Sequence, residues 1–248
     1  MGVGVGFVRR GVRNVTTMYM PSNHASVWKL RGWPLGWLLS PAGFARPVRG
    51  DRLVPFACDN GMYHAPGAEP KGMKALVPFY AMLKRVRDEG WTPAWVTAPD
   101  VPYKGAESLA LSLKHEATMR YEWPDCPVAL AVQDGMAWDV LDAAPWRCCF
   151  IAGSDRWKDA TLRRWTAEAH ARGMLAHVAR VNCYRRAVAV REAGADSADG
   201  TSWGRGRRKQ IEDLLRGLYP ERTDAEIRET ARIVAPRELK EHLWSSAQ

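Results

Sequence analysis

The sequence predicts an α/β protein built as a TIM-like (β/α)8 barrel of parallel strands. Short apolar runs alternate with longer segments in which apolar residues recur every three or four positions, and this alternation implies parallel strands joined by helical crossovers. Polar residues follow nearly every apolar run, which favours a barrel over the alternative, an open doubly wound sheet with one switch point. The length of 248 residues is ordinary for such a barrel.

The expected strands begin near residue 37, and seven of them are visible, so the barrel is expected to be irregular. They lie at 37–40, 53–58, 94–98, 128–132, 148–152, 175–178 and 195–198. The expected helices between them lie at 71–89, 105–121, 136–143, 157–172 and 183–193. Three more are expected at 205–218, 224–234 and 236–244. Thr223 and Glu226 have the spacing of a capping box, which marks the start of the second of these.

We divide the chain into a basic N-terminal arm (1–34), a barrel (35–203) and a C-terminal helical extension packed on the barrel (204–248). Residues 1–52 hold eight Lys and Arg against one acidic residue, whereas residues 53–203 carry no net charge. A basic arm beside a neutral body suits a polyanionic partner such as a nucleic acid. A basic tail without a partner is the alternative.

Composition and cysteine spacing exclude several classes of protein. With 46% apolar and 25% charged residues the chain resembles a folded soluble protein, and no apolar run approaches the ~20 residues of a membrane span. The first ten residues place their charges after the apolar residues, the reverse of a secretory signal. The five cysteines form no CxxC pair and no zinc-finger spacing. We therefore expect a reduced, cytoplasmic protein without disulfides, metal or cofactor.

Carboxylates recur where the expected strands end. Asp59, Asp100 and Asp134 each follow an apolar run, and Asp196 and Asp199 flank the last one. Because buried carboxylates are costly, their repetition predicts a functional site at this edge. The alternatives are a turn role for the aspartate in Asp-Asn-Gly and a helix cap for the one before Val-Pro. Of Asp196 and Asp199, one is expected to be structural.

Other polar residues follow the same strands. Gln133 can hydrogen-bond a planar ligand on two sides, and Gly153 can leave a bare backbone N–H for one. The alternatives are a buried amide that is satisfied within the protein and a glycine that serves only a turn. Further residues expected on this face, with packing or internal hydrogen bonds as the alternative, are His177, Arg180, Asn182 and Trp203. A basic cluster expected to contact phosphate consists of Arg205, Arg207, Arg208 and Lys209.

In their order, these motifs resemble the tRNA-guanine transglycosylase superfamily, barrel enzymes that exchange a guanine for a 7-deazaguanine. The Cys-Asp-Asn-Gly run at 58–61 is similar to the family's Asp-Ser-Gly motif, and 99–102 to the segment whose aspartate grips the guanine edge. The Ala-Val-Gln-Asp-Gly run at 131–135 is similar to Val-Gln-Gly-Gly, and 151–153 to the next Gly-Gly strand end. Residues 194–199 are similar to Gly-Ile-Asp-x-Phe-Asp, which ends on the nucleophile.

The similarity covers roughly residues 35–203, and its departures point to one branch. The cysteine and histidine zinc site of the tRNA enzymes is absent, and the chain is shorter than theirs. Asn60 and Ser154 stand where the family has serine and glycine. The chain is therefore most similar to the phage and genomic-island enzymes that insert 7-deazaguanines into DNA. The resemblance implies DNA and a preQ0-like base as partners.

The resemblance also implies residue roles. Asp199 would attack C1′ and form a covalent intermediate, while Asp59 would carry protons to and from the bases. Asp100 would accept hydrogen bonds from guanine N1–H and the exocyclic amine, and Gln133 and the Gly153 N–H would contact O6. The target nucleotide must be single-stranded or flipped from the duplex, at a cost of a few kcal/mol.

Three alternatives remain open at this point. The first is a tRNA-guanine transglycosylase. The second is a non-catalytic nucleic-acid-binding barrel subunit, against which the presence of both Asp59 and Asp199 argues. The third is an unrelated barrel enzyme with a small phosphorylated substrate, for which the sequence holds no glycine-rich phosphate loop.

Overall fold

The computed structural model describes residues 16–21, 25–63, 74 and 76–235, and eight parallel strands in it close into a barrel. The strands are β1 (Thr17–Pro21), β2 (Leu35–Leu39), β5 (Phe56–Cys58), β6 (Val96–Thr97), β7 (Val128–Val132), β8 (Cys148–Ile151), β9 (Leu175–Val178) and β10 (Ser197–Asp199). A separate antiparallel hairpin consists of β3 (Val48–Arg49) and β4 (Arg52–Leu53). Around the barrel the order is β1, β10, β9, β8, β7, β6, β5, β2. The predicted α/β barrel is confirmed.

The eighth strand, β1, lies in the segment assigned above to the basic arm. It pairs with β10 through Thr17 and Ser197 and with β2 through Met18 and Leu35, and so closes the ring. The predicted barrel start at residue 35 is therefore wrong. β1 has a weak sequence signal because its five residues, Thr-Met-Tyr-Met-Pro, include one β-branched residue and end in proline, which is uncommon inside strands. Residues 1–15 of the arm lie outside the described residues.

Helices cover the outside of the barrel. They are α1 (Leu76–Asp88), α2 (Gly105–Glu122), α3 (Asp155–Ala171), α4 (Tyr184–Ala193), α5 (Ser202–Arg205), α6 (Arg208–Leu218) and α7 (Asp224–Val234). The helix predicted at 136–143 is instead a 3-10 segment, Trp138–Asp142. None of the described helices is long and apolar enough to cross a bilayer.

The C-terminal extension packs on the barrel as far as residue 235. Gly217 of α6 lies so close to α4 that a Cβ there would come within 2.7 Å of Ala187. The Tyr219 hydroxyl donates a hydrogen bond of 2.9 Å to the carbonyl of Thr16, next to β1. The predicted capping box of Thr223 and Glu226 is present at the start of α7. The helix expected at 236–244 lies outside the described residues.

The barrel interior combines a few large rings with small residues. Tyr19, Trp95 and Phe150 face inward with five smaller residues, Ala57, Ala129, Ala131, Cys148 and Ala179. Trp95 meets Tyr19 and Phe150 edge to face, at centroid distances of 5.8 and 5.3 Å. Gly36 has no room for a side chain because the Tyr19 ring lies 2.6 Å from where its Cβ would be. These rings form a packed floor beneath the C-terminal mouth of the barrel.

Candidate active site

The C-terminal strand ends carry Asp59 and Asp199 on nearly opposite sides of the barrel mouth. β5 and β10 are separated by β2 and β1 in one direction and by β6 to β9 in the other. Side chains alternate along a strand, so Asp59 shares the inward side of Ala57, and Asp199 shares that of Ser197. Both carboxylates are partly exposed. The two residues that the sequence predicted as catalytic therefore border one opening.

The Asp199 carboxylate is fixed through one oxygen. Its Oδ1 lies 3.0 Å from His177 Nε2 and accepts a 3.3 Å hydrogen bond from the backbone N–H of Arg180. Its Oδ2 receives no hydrogen bond from the described part of the chain. The side chain keeps 18% of its surface exposed. One oxygen is thus oriented by the protein and the other is available to a reactant.

Asp100 is held by two side-chain amides. It is 6% exposed; Asn60 Nδ2 donates to its Oδ1 at 2.8 Å, and Gln133 Nε2 donates to its Oδ2 at 2.6 Å. Asn60 Nδ2 also donates to the Ala98 carbonyl at 2.7 Å, and Gln133 Oε1 accepts the Tyr103 N–H at 2.9 Å. Each carboxylate oxygen has two lone pairs and can accept more than one hydrogen bond. The sequence had indicated Asn60 only as a turn residue.

Asp59 combines its turn role with its place at the rim. Its Oδ2 accepts the Gly61 N–H at 3.1 Å, and Gly61 has a φ of +72° that glycine adopts without strain. The neighbouring Asn60 Oδ1 accepts the Met62 N–H at 2.8 Å. The Asp-Asn-Gly turn thereby sets the direction of two polar side chains at once.

Arg180 bridges several loops of the mouth, a role that the sequence did not reveal. Its Nη1 lies 3.0 Å from the Tyr103 hydroxyl and 3.5 Å from that of Tyr63, and its guanidinium faces both rings. Its Nη2 donates to the carbonyls of Ala152 and Gly153. We call Arg180, Tyr63 and Tyr103 the arginine clasp. Among described residues, Arg180 and Tyr103 are the two non-glycine residues with positive φ, 60° and 68°, a strain concentrated at functional sites.

A buried lysine supports the clasp from below. Lys158 of α3 is 1% exposed, and its Nζ donates to the carbonyl of Ala179, the residue before Arg180, at 2.5 Å. Asp155 lies 3.4 Å from the same Nζ. Burial, together with the nearby Arg180 charge, lowers the pKa of Lys158 to about 8. No sequence pattern distinguished this lysine from the exposed ones on the helices.

Two predicted ligand contacts are wrong. The Gly153 N–H donates to the Val132 carbonyl at 3.2 Å, and a side chain at Gly153 would overlap the Trp157 ring. Trp203 is 1% exposed, and its Nε1 donates to the Val181 carbonyl at 3.3 Å. Glycine is present for close packing, and the indole stabilises the loop after β9 instead of facing a ligand.

Three other predicted contacts are engaged within the protein. The Asn182 Oδ1 accepts the Ser202 N–H at 2.9 Å and so shapes the start of α5. His177 is fully buried and reaches Asp199 instead of the opening. The Gln133 amide is occupied at both ends by Asp100 and Tyr103. The structure thus makes these residues supports for the site, whereas the sequence predicted direct ligand contacts.

Among the described residues, two of the four cations in the predicted phosphate-binding cluster form ion pairs and two do not. Arg205 and Arg207 are exposed and form no ion pair within the described residues. Arg208 Nε lies 3.1 Å from Glu212, and Lys209 Nζ lies 2.8 Å from Asp213. Exposed pairs of this kind contribute little stability. All four cations therefore remain on the surface, two of them without a carboxylate partner there.

All five cysteines lie within the described ranges, 16–21, 25–63, 74 and 76–235. Across these ranges, no group of three or more His, Cys, Asp or Glu is arranged to hold a metal ion. All five cysteines are free; Cys183 is exposed and the other four are buried. Burial raises the pKa of the Cys126 thiol to about 12. The buried thiols are packing groups that stay protonated.

Comparison with known proteins adds little to this geometry. No protein-family model matches the chain, and no curated protein matches it. Among solved structures, the crystal structure of RipC from Yersinia pestis is similar at 12% identity and a TM-score of 0.46. The match covers 87% of this chain and 100% of RipC. A likeness at this level does not assign a function to the chain.

Proposed function

We propose that the protein is a DNA-guanine transglycosylase, a pentosyltransferase that exchanges guanine in DNA for a preQ0-like 7-deazaguanine. The observation that carries this proposal is Asp199 at the barrel mouth, with Oδ1 held by two donors and Oδ2 open, and with Asp59 across the same opening. An oriented carboxylate nucleophile and a second carboxylate are what double displacement at a sugar carbon requires.

The proposed reaction has two displacements at C1′. Asp199 Oδ2 attacks C1′ of the deoxyguanosine, the C1′–N9 bond breaks, and Asp59, which begins as the protonated acid, gives its proton to the departing guanine. The 7-deazaguanine then enters and loses its N9 proton to Asp59, and its N9 attacks C1′ and releases Asp199. The proton given in the first half returns in the second, so both carboxylates end as they began.

Guanine selection is assigned to Asp100. Its two oxygens, each fixed by an amide, can accept hydrogen bonds from N1–H and the exocyclic amine of guanine together. Adenine has an acceptor at N1 that would face the Asp100 carboxylate where guanine presents a donor, and this mismatch discriminates against adenine. Asn60 and Gln133 keep this carboxylate in place.

DNA is the proposed polymer because positive charge is concentrated in the first 52 residues and in the segment after β10. The chain has a net charge of +9, with eight basic residues in 1–52, and Arg205 and Arg207 add exposed cations after β10. C1′ is shielded inside a duplex, so the target nucleotide must be flipped or single-stranded. Phosphate contacts offset that cost and make binding salt-dependent. The free thiols fit a reducing compartment, and we propose the cytoplasm, that of the host if the protein is phage-encoded.

The test is base exchange measured on DNA and tRNA in parallel. Each polymer is incubated with the protein and a candidate deazapurine, then digested to nucleosides for mass spectrometry, with Asp199→Asn as the matched control. We expect the deazaguanosine mass in DNA with the wild-type protein alone. Exchange in tRNA only would establish the tRNA alternative.

A second measurement addresses the non-catalytic alternative. Without an incoming base, the wild-type protein should form a covalent DNA adduct that survives denaturation and maps to Asp199 by peptide mass spectrometry. DNA binding with neither adduct nor exchange would favour the binding subunit and overturn the enzyme.

A further inference from the structure

His177 bridges two residues of the neighbouring strand inside the barrel. It is opposite Ser197 in the β9–β10 register, and its ring spans from Ser197 to Asp199, the next inward residue of β10. Nδ1 lies 2.9 Å from Ser197 Oγ, and Nε2 lies 3.0 Å from Asp199 Oδ1. One imidazole therefore joins a buried hydroxyl to the partly exposed carboxylate.

The proton positions in this chain follow from the chemistry of its ends. A carboxylate can only accept, so His177 Nε2 must donate to Asp199. Burial, which outweighs the opposing effect of Asp199, lowers the pKa of His177, so its ring is neutral near pH 7. Nδ1 is then bare and accepts from the Ser197 hydroxyl. Each hydrogen bond in the chain thus has one donor and one acceptor.

The aromatic floor fixes the ring. The His177 centroid lies 4.6 Å from that of Trp95, 4.7 Å from that of Phe150 and 6.0 Å from that of Tyr19. Ser197 is 4% exposed, so it is no nucleophile for a DNA substrate. The group that reaches the opening is Asp199, and the order of hydroxyl, imidazole and carboxylate runs from the interior outward.

We propose that His177 is a positioning residue that holds Asp199 so that Oδ2 alone faces the reacting carbon. Its kinetic consequence rests on the proposed function. A neutral N–H orients the carboxylate without placing a full positive charge beside it, and so leaves the negative charge for attack. When Oδ2 is esterified to C1′, Oδ1 becomes a carbonyl oxygen that the same N–H still serves. The Arg180 N–H is the second donor to that oxygen.

Two variants separate positioning from packing. His177→Phe keeps a ring among Tyr19, Trp95 and Phe150 but has no N–H, whereas His177→Gln keeps a neutral N–H near the Nε2 position and loses the ring. Positioning predicts that kcat falls about 10²-fold in His177→Phe, with KM for the base and for DNA within about twofold. It also predicts that His177→Gln stays within about tenfold of wild type. If His177→Phe is as active as His177→Gln or more active, the proposal is overturned.

A spectroscopic test does not depend on turnover. The ¹⁵N shifts of His177 in the full-length protein should indicate a neutral ring protonated at Nε2 near neutral pH, and Ser197→Ala should raise the share of the Nδ1–H form. An imidazolium or a predominant Nδ1–H ring in the wild type would contradict positioning. If the wild type exchanges no base yet has the Nε2–H ring, the proposed function fails and the positioning of Asp199 stands.

Discussion

Asp196 lies just before β10 and Asp199 at its end, and each carboxylate has a backbone N–H and a histidine as partners. Asp196 accepts from the Ala176 N–H at 2.8 Å and pairs with His170 Nε2 at 2.8 Å; Asp199 accepts from the Arg180 N–H and pairs with His177 Nε2. Their difference is direction. An odd spacing points the two side chains to opposite faces, so Asp196 faces His170 of the outer helix α3 and Asp199 faces the opening. Their positions in the barrel, and not the number of their hydrogen bonds, support the proposed assignment of one aspartate to structure and the other to catalysis.

The strongest test of this difference between the two aspartates is to remove each carboxylate in turn. Asp199→Ala should reduce base exchange by about 10⁴-fold or more while DNA affinity and folding stay nearly intact, because the covalent route is lost. Asp196→Ala should keep the chemistry but lower the free energy of unfolding by about 1–3 kcal/mol, since the Ala176 N–H and the His170 ring lose their acceptor. Exchange rates, DNA binding and denaturant melts of both variants give the result. Base exchange retained in Asp199→Ala would show that Asp199 is not the nucleophile.

The next largest effect concerns guanine selection. Asp100→Asn should relax or abolish it, because an amide cannot accept from both N1–H and the exocyclic amine, and one end of it would confront the Asn60 or Gln133 donors. Competition between labelled guanine and other purines measures the ratio of kcat/KM values. Gln133→Met is the comparison variant, since it removes one supporting donor without adding a charge beside the Asp100 carboxylate. Unchanged selection in Asp100→Asn would assign recognition elsewhere.

The sequence predicted most of the strands and the rim carboxylates because both leave local signals. Apolar runs mark seven strands, and a carboxylate after a run marks its end. β1 left a weak signal, and Gly153 and Trp203 were misassigned because neither a backbone N–H partner nor the depth of an indole can be read from spacing. Three contacts of the site join residues that are far apart in the chain. Asn60 and Asp100 are 40 positions apart, Lys158 and Ala179 are 21 apart, and Tyr63 and Arg180 are 117 apart. Such contacts follow only from barrel closure.

The arginine clasp gives a smaller effect, on binding. Arg180→Asn and Arg180→Ala both remove the contacts to Tyr63 and Tyr103, so we expect KM for DNA or base to rise about tenfold in each, by loss of one or two charge-assisted hydrogen bonds. Asparagine tolerates a φ of 60° better than alanine does. The alanine variant should therefore be less stable by about 1 kcal/mol in denaturant melts. Equal stability would mean that the backbone strain is relieved by loop movement.

The buried imidazole of His177 predicts a pH dependence of stability. Its pKa is lowered in the folded protein by burial and by Lys158, against the opposing effect of Asp199, so the unfolded chain takes up its proton first. Stability is complete above the unfolded value of about 6.5 and is lost as pH falls below it toward the folded pKa. His177→Gln lacks this group, so the difference in free energy of unfolding between wild type and variant should shift against the wild type in that window. A pH-independent difference would contradict a neutral buried ring.

The smallest expected effect is on DNA binding. It distinguishes Arg205 and Arg207 from the cations with carboxylate partners, Arg208 and Lys209. Two double variants each remove two charges: Arg205→Ala with Arg207→Ala, and Arg208→Ala with Lys209→Ala. The first should weaken DNA binding several-fold and reduce the salt slope by about 2, because each phosphate contact contributes about 1. The second should reduce the slope less, since Glu212 and Asp213 compete with phosphate for those cations. Titrations at several salt concentrations measure both slopes, and equal slopes would place the DNA track across all four residues.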